Sequence, residues 1–193
     1  MKIRLIILLL ALTLIDNSLL QGQQNTFTNT LTLLEYGFPS ENDYLNARAT
    51  IANNWGIKFE SVAGCIVSEH LIDSVKQHNE EISERIISKF GEDWGIRFKK
   101  EVEKELEVQK IARRLVDNQR YIAKLDSTLG TQGNGLYYQL TPINPGIKYS
   151  ANIFGWGEWN EKTELVTFYK LEIDLDKKKV NITSDKIELF TFE

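Results

Sequence analysis

Residues 165–175 read LVTFYKLEIDL, and this stretch decides the fold class. Leu165, Thr167, Tyr169, Leu171, Ile173 and Leu175 alternate with Val166, Phe168, Lys170, Glu172 and Asp174. A period of two places alternate side chains on opposite faces, so the pattern predicts a strand with one apolar face and one increasingly polar face. Asp176, Lys177 and Lys178 can turn the chain. Val180 and Ile182 then open a second strand and residues 187–192 a third, which predicts a meander of three antiparallel strands.

Working upstream, the composition changes after Ser127. Gly130, Gly133, Asn134 and Gly135 form a turn-rich joint, and Tyr137, Tyr138, Pro142, Pro145 and Gly146 mark a short strand followed by a tight turn. Before the joint the period is helical. Leu45, Ala49 and Ala52 recur over a helix expected from Glu41 to Asn54, behind a capping signal at Ser40 and Asp43. Ile57, Phe59 and Ser61 alternate as in a short strand. From Ser68, Leu71, Val75, Ile82 and Ile86 form a second helical stripe, stopped at Gly91. A third helix is expected from about Glu92 to Leu125, along Phe98, Val102, Leu106, Val108, Ile111, Leu115 and Ile122. The mixed charges of residues 99–107 read as its solvated face.

Helices first and a local meander last is the α+β order. The expected architecture is a set of N-terminal helices, including a long helical hairpin, packed on a C-terminal antiparallel β-meander. Residues 39–127 are the helical region and residues 128–193 the antiparallel β region of a single domain, with residues 23–38 a loosely ordered stretch ahead of it. Trp55-Gly56-Ile57-Lys58-Phe59 recurs as Trp94-Gly95-Ile96-Arg97-Phe98. Two copies are too few for a solenoid, so a shared packing device explains them better than a duplicated unit.

The first 22 residues have the order of a secretory signal peptide. Lys2 and Arg4 are followed by an apolar run from Leu5 to Ile15, broken only by Thr13, and Asp16, Asn17 and Ser18 end it. At about 1.5 Å per residue the run covers about half of a ~30 Å hydrocarbon core, too short for a stable span. The expected destination is outside the cytoplasm, with cleavage near Gly22 and no stable membrane span afterwards. The formal charge of −4 and pI near 5.4 provide no basic field for nucleic acid or an anionic membrane.

Residue types that do chemistry are scarce. Cys65 is the only cysteine, so no intramolecular disulfide can form, and a free thiol between Gly64 and Ile66 is expected to be buried. The enzyme alternative is a thiol-dependent, hydrolase-like centre. In it Cys65 lies just before a helix N-terminus that lowers its pKa, with His70 as base and Asp73 as the carboxylate. His70 and His78 are eight residues apart, about 80° around a helix, which is too oblique for a chelating pair, so no metal or cofactor is expected.

The leading reading is a non-enzymatic binding or envelope assembly protein with a protein or glycan partner. Its contact residues are Trp156 and Trp159 in Phe154-Gly155-Trp156-Gly157-Glu158-Trp159. Alternation puts Phe154, Trp156 and Glu158 on one side and Trp159 on the other. At least one tryptophan is therefore expected to be accessible.

Overall fold

The computed structural model describes residues 30–37 and 42–191, so the signal-like segment lies outside the described residues. The fold is α+β, with helices followed by an antiparallel C-terminal sheet. The elements in order are β1 (Leu31–Tyr36), α1 (Asn42–Trp55), β2 (Ile57–Ala63), α2 (Glu69–Phe90), α3 (Trp94–Asp117), α4 (Arg120–Gly130), β3 (Tyr137–Asn144), β4 (Lys148–Trp159), β5 (Lys162–Asp174), β6 (Lys179–Ser184) and β7 (Glu188–Leu189).

The first departure from the sequence reading is β1. Residues 31–36 are not loose but form a strand parallel to β2, in register Leu31 with Ile57 and Leu33 with Phe59. Parallel strands need a crossover, and α1 supplies it. Within α1 the buried positions are Ala47, Thr50, Ile51 and Ala52, while Ala49 is exposed. Leu31, Leu33 and Ile57 pack against Ile82 and Ile86 of α2, whose cap is Ser68 accepting from the Leu71 N–H. The outer edge of β1 is closed by side chains. Asn79 Oδ1 accepts from the Leu34 N–H at 2.8 Å, Asn79 Nδ2 donates to the Leu34 carbonyl at 2.9 Å, and His78 Nε2 lies 2.9 Å from the Thr32 carbonyl.

The repeated pentapeptide takes two conformations. Trp55–Phe59 ends α1 and opens β2 with Gly56 at φ +66°, whereas Trp94–Phe98 is the first turn of α3. The copies nonetheless meet, since Phe98 lies edge-on to Trp55 at 5.7 Å and tilted to Phe59 at 5.8 Å. They act as one aromatic joint between β2 and α3.

The helix expected over residues 92–125 is divided at Asn118 and Gln119 into α3 and α4. Its buried stripe is Phe98, Val102, Glu105, Gln109, Ala112 and Val116, spaced alternately four and three residues apart. Glu105 and Gln109 thus occupy core positions in place of Ile111, which is half-exposed, and the charge run is not solvated throughout. Ala112, Val116 and Ile122 cover the inner face of the sheet, against Tyr149, Ala151, Ile153, Leu171 and Ile173. The two long helices therefore divide the work unequally: α2 packs on the parallel pair, whereas α3 joins β2 through Trp94 and Phe98 at its start and covers the antiparallel sheet with α4 farther on.

The larger sheet runs β3-β4-β5-β6, with β7 also on β5. The meander begins earlier than expected, because Lys148–Trp159 is a full strand and pairs along the whole of β5. Of the described residues 187–191, only Glu188 and Leu189 form a strand, on β5 rather than on β6. The alternation from Leu165 to Leu175 is also broken. Ile153 faces Tyr169 but Phe154 faces Thr167, so Phe168 is an extra residue in a β-bulge. The bulge puts Phe168 and Tyr169 on the same side. Beyond it Val166 and Phe168 turn inward onto Leu129, giving the sheet a second, smaller core.

Candidate binding face of the C-terminal sheet

The segment 154–159 lies in β4 beyond the bulge. Gly155 and Gly157 face inward, where the ring of Phe168 passes over them. A Cβ on Gly157 would stand 2.8 Å from Val166 Cγ2 and 2.9 Å from Phe168 Cζ, and one on Gly155 would stand 2.7 Å from the Gly135 carbonyl oxygen. The glycines make room for Phe168. Trp159 follows them inward and packs on the cluster of Leu129, Val166 and Phe168. Trp156 is across the strand and 45% exposed.

Phe154 and Trp156 share the outer face. The Phe154 ring stacks on Phe190 at 3.8 Å and on Tyr137 at 5.6 Å, so three rings cross the sheet in one row. Tyr137 remains exposed at the end of the row. Alongside that row, cross-strand register places Gln139, Asn152 and Lys170 together, and then Thr141 and Ser150. Asn152 Nδ2 donates to Gln139 Oε1 at 2.9 Å. Lys170 is paired with the Glu188 carboxylate from β7.

This polar part of the face lies in a groove of about 580 Å³ whose opposite wall is α1, through Asn46, Asn53 and Asn54. Asn46 also holds the helix to the sheet edge, since its Nδ2 donates to the Tyr138 carbonyl at 2.6 Å. Thr50 belongs to the groove lining and also to a buried network. Gln109 Nε2 donates to Thr50 Oγ1 at 3.3 Å and to Glu105 Oε1 at 2.9 Å, and the Tyr149 hydroxyl donates to the same Glu105 oxygen at 3.0 Å. Burial, reinforced by the Glu105 carboxylate, pushes the Tyr149 hydroxyl well above the usual phenol range. The Tyr138 hydroxyl is likewise pushed up, by burial first and then by its hydrogen bond to Asp117. Both tyrosines are therefore neutral donors.

The residues of the thiol alternative are placed differently. Cys65 lies ahead of α2 as expected, but it is exposed rather than buried, because the chain between β2 and the Ser68 cap runs over the surface. His70 and Asp73 are exposed in the first turns of α2. Among the described residues no hydrogen bond or ion pair joins Cys65, His70 and Asp73, and no group of three His, Cys, Asp or Glu side chains could hold a metal ion.

The sequence pointed to Trp156 and Trp159 together, of which Trp159 is packed inward, and it carried no sign of the groove. Its walls come from elements about ninety residues apart, and single asparagines on a helix carry no local signal. No family model, curated protein or solved structure matches this chain.

Proposed function

We propose that this chain is an exported, non-enzymatic binding protein whose contact surface is the outer face of the C-terminal sheet around Trp156. The observation that carries the reading is the exposure of Trp156 on β4, where it pairs with Leu165 of β5 just beyond the end of β3, beside the Tyr137–Phe154–Phe190 row. A large, amphipathic ring on rigid backbone contributes contact area at little cost in conformational entropy. Export rests on the charged, apolar, polar order of residues 1–22.

The two tryptophans separate binding from stability. Trp156→Ala should change the unfolding free energy by no more than about 0.5 kcal/mol, as at other surface sites. Trp159→Ala, half-buried on Leu129 and Phe168, should cost about 2 to 3 kcal/mol, below the full core value. An array of immobilised peptides and glycans provides the second readout. Trp156→Ala should lose whatever the wild type retains. Equal retention by wild type and variant would remove Trp156 from the contact surface, and an array with no hits would remove the binding reading. Intact mass from the native host should show the loss of about twenty residues, whereas the full-length chain in the cytoplasm would defeat export.

A further inference from the structure

The groove beside the aromatic row has a chemistry of its own. Asn46, Asn53, Asn54, Gln139 and Asn152 supply amides to it, and Thr50, Thr141 and Ser150 supply hydroxyls. Lys170 is the one charged side chain in its lining among the described residues, and Glu188 neutralises it. Its volume of about 580 Å³ is within the usual range for small-ligand sites.

We infer that this groove is the binding site of an uncharged oligosaccharide, whose chain continues from the amides onto the exposed ring of Trp156. The inference rests on the contact surface proposed above and names its ligand class. An amide offers a donor and an acceptor at fixed separation, which matches the hydroxyl pairs of a sugar ring, each hydroxyl being both donor and acceptor. Several of these groups are free for that purpose. The Asn152–Gln139 bond uses the Asn152 amino group and the Gln139 oxygen, leaving an acceptor on Asn152 and an amino group on Gln139. Asn53 and Asn54 are exposed, and among the described residues their side chains make no hydrogen bond. Thr50 Oγ1 accepts from Gln109, so its own proton is left to donate, and the buried Gln109–Glu105–Tyr149 network holds that floor fixed. A preformed polar floor spares a ligand the cost of ordering it.

Charge and backbone argue against the other ligands that fit an elongated groove. An anionic chain would meet one lysine already paired, and a basic peptide would find no carboxylate in the lining. A peptide adding to the edge of β3 would need an unbroken ladder. Asn46 and Asn42 already occupy the Tyr138 carbonyl, and Pro142 has no N–H to offer. An oligosaccharide needs neither charge nor ladder. From Asn152 to Trp156 the strand advances about 13 Å at roughly 3.3 Å per residue, and the ligand would cross the Phe190 ring stacked on Phe154 between them, which sets a chain several sugar units long.

The test uses the full mature protein with cellohexaose, maltohexaose, xylohexaose and chitohexaose as probes, followed by isothermal titration and tryptophan fluorescence. At least one of these hexasaccharides should bind. Its affinity should change less than about threefold when NaCl rises from about 50 mM to 500 mM, because no free charge is engaged. Asn53→Ala with Asn54→Ala, on an exposed helix face where alanine favours folding, should weaken binding at least about tenfold, equivalent to about 1.4 kcal/mol, with the melting temperature kept or raised. Trp156→Ala should weaken it similarly and favour shorter chains. Unchanged affinity in the double asparagine variant would overturn the groove. If no hexasaccharide binds while array peptides do so through Trp156, the oligosaccharide is wrong and the contact surface stands. If neither class binds, both fall.

Discussion

The outer edges of β1 and β3 face the same problem, a row of backbone groups without a neighbouring strand, and are closed to different degrees. On β1, Asn79 takes both the N–H and the carbonyl of Leu34, as a paired strand would, and His78 takes the carbonyl of Thr32. On β3, Asn46 and Asn42 take only the carbonyl of Tyr138. Both edges have space beside them, a groove of about 750 Å³ lined by Leu34, Asn79 and Ile87 at β1 and the amide groove at β3, so what differs is how much edge backbone is already satisfied. The β1 edge is satisfied at Leu34 and Thr32, whereas the side-chain bonds to the β3 edge all go to one carbonyl.

The largest expected effects test whether the two sheets unfold as one. Ile86→Ala beneath β1 and Ile173→Ala beneath the antiparallel sheet each truncate a fully buried side chain, and each should cost about 2 to 5 kcal/mol. Urea denaturation followed by far-UV and tryptophan signals should show one coincident transition in both variants. Separated transitions would make the two sheets independent units.

Next come the edges themselves. Asn79→Ala leaves two groups of Leu34 unpaired and should cost about 1 to 3 kcal/mol, with faster exchange of the Leu34 amide. Asn46→Ala removes one strong bond and should cost roughly half as much. Equal costs would erase the proposed contrast.

A pH series separates the sheets in another way. Tyr149 and Tyr138 both lie in the antiparallel sheet, and their folded-state pKa values are raised above the unfolded value of about 10. Their contribution to stability is complete below pH 10 and is lost as the pH climbs toward the raised values, since the unfolded chain releases those protons first. Stability should therefore fall above pH 10, and Tyr149→Phe should flatten that fall. An unchanged alkaline limb would place the loss elsewhere.

The smallest effect concerns the β4–β5 hairpin, whose two turn residues Asn160 and Glu161 have φ of 49° and 63°. Such a turn favours Asn followed by Gly, so Glu161→Gly should raise stability by up to about 1 kcal/mol in thermal unfolding. A loss would mean that the Glu161 side chain contributes more than its backbone strain.

What could be read from the sequence was what is local. The period of α2 and the alternation of β5 are short-range patterns, and both became elements. The reading failed where distant residues decide. Phe168 is displaced by its register with β4, β1 depends on a parallel partner across α1, and the buried Glu105 carboxylate and Gln109 amino group find partners only in Tyr149, Thr50 and each other. At the candidate site alternation made it legible that Trp156 and Trp159 point to opposite faces, but not that Trp156 is the exposed one. The groove was not legible, since five amides from α1, β3 and β4 have meaning only once packed together.

The side-chain closures of the two edges also fall in opposite order along the chain. Asn79 lies 45 residues after Leu34, whereas Asn46 lies 92 residues before Tyr138. A chain that emerges N-terminus first thus presents β1 and β2 to water until α2 has followed, and the edge of β1 is completed late by a residue made after it. When β3 emerges, Asn46 has already been made. The small sheet is closed retrospectively and the large one is met by a partner in waiting, so a pause in chain delivery between residues 63 and 79 would expose the parallel pair and leave the antiparallel sheet untouched.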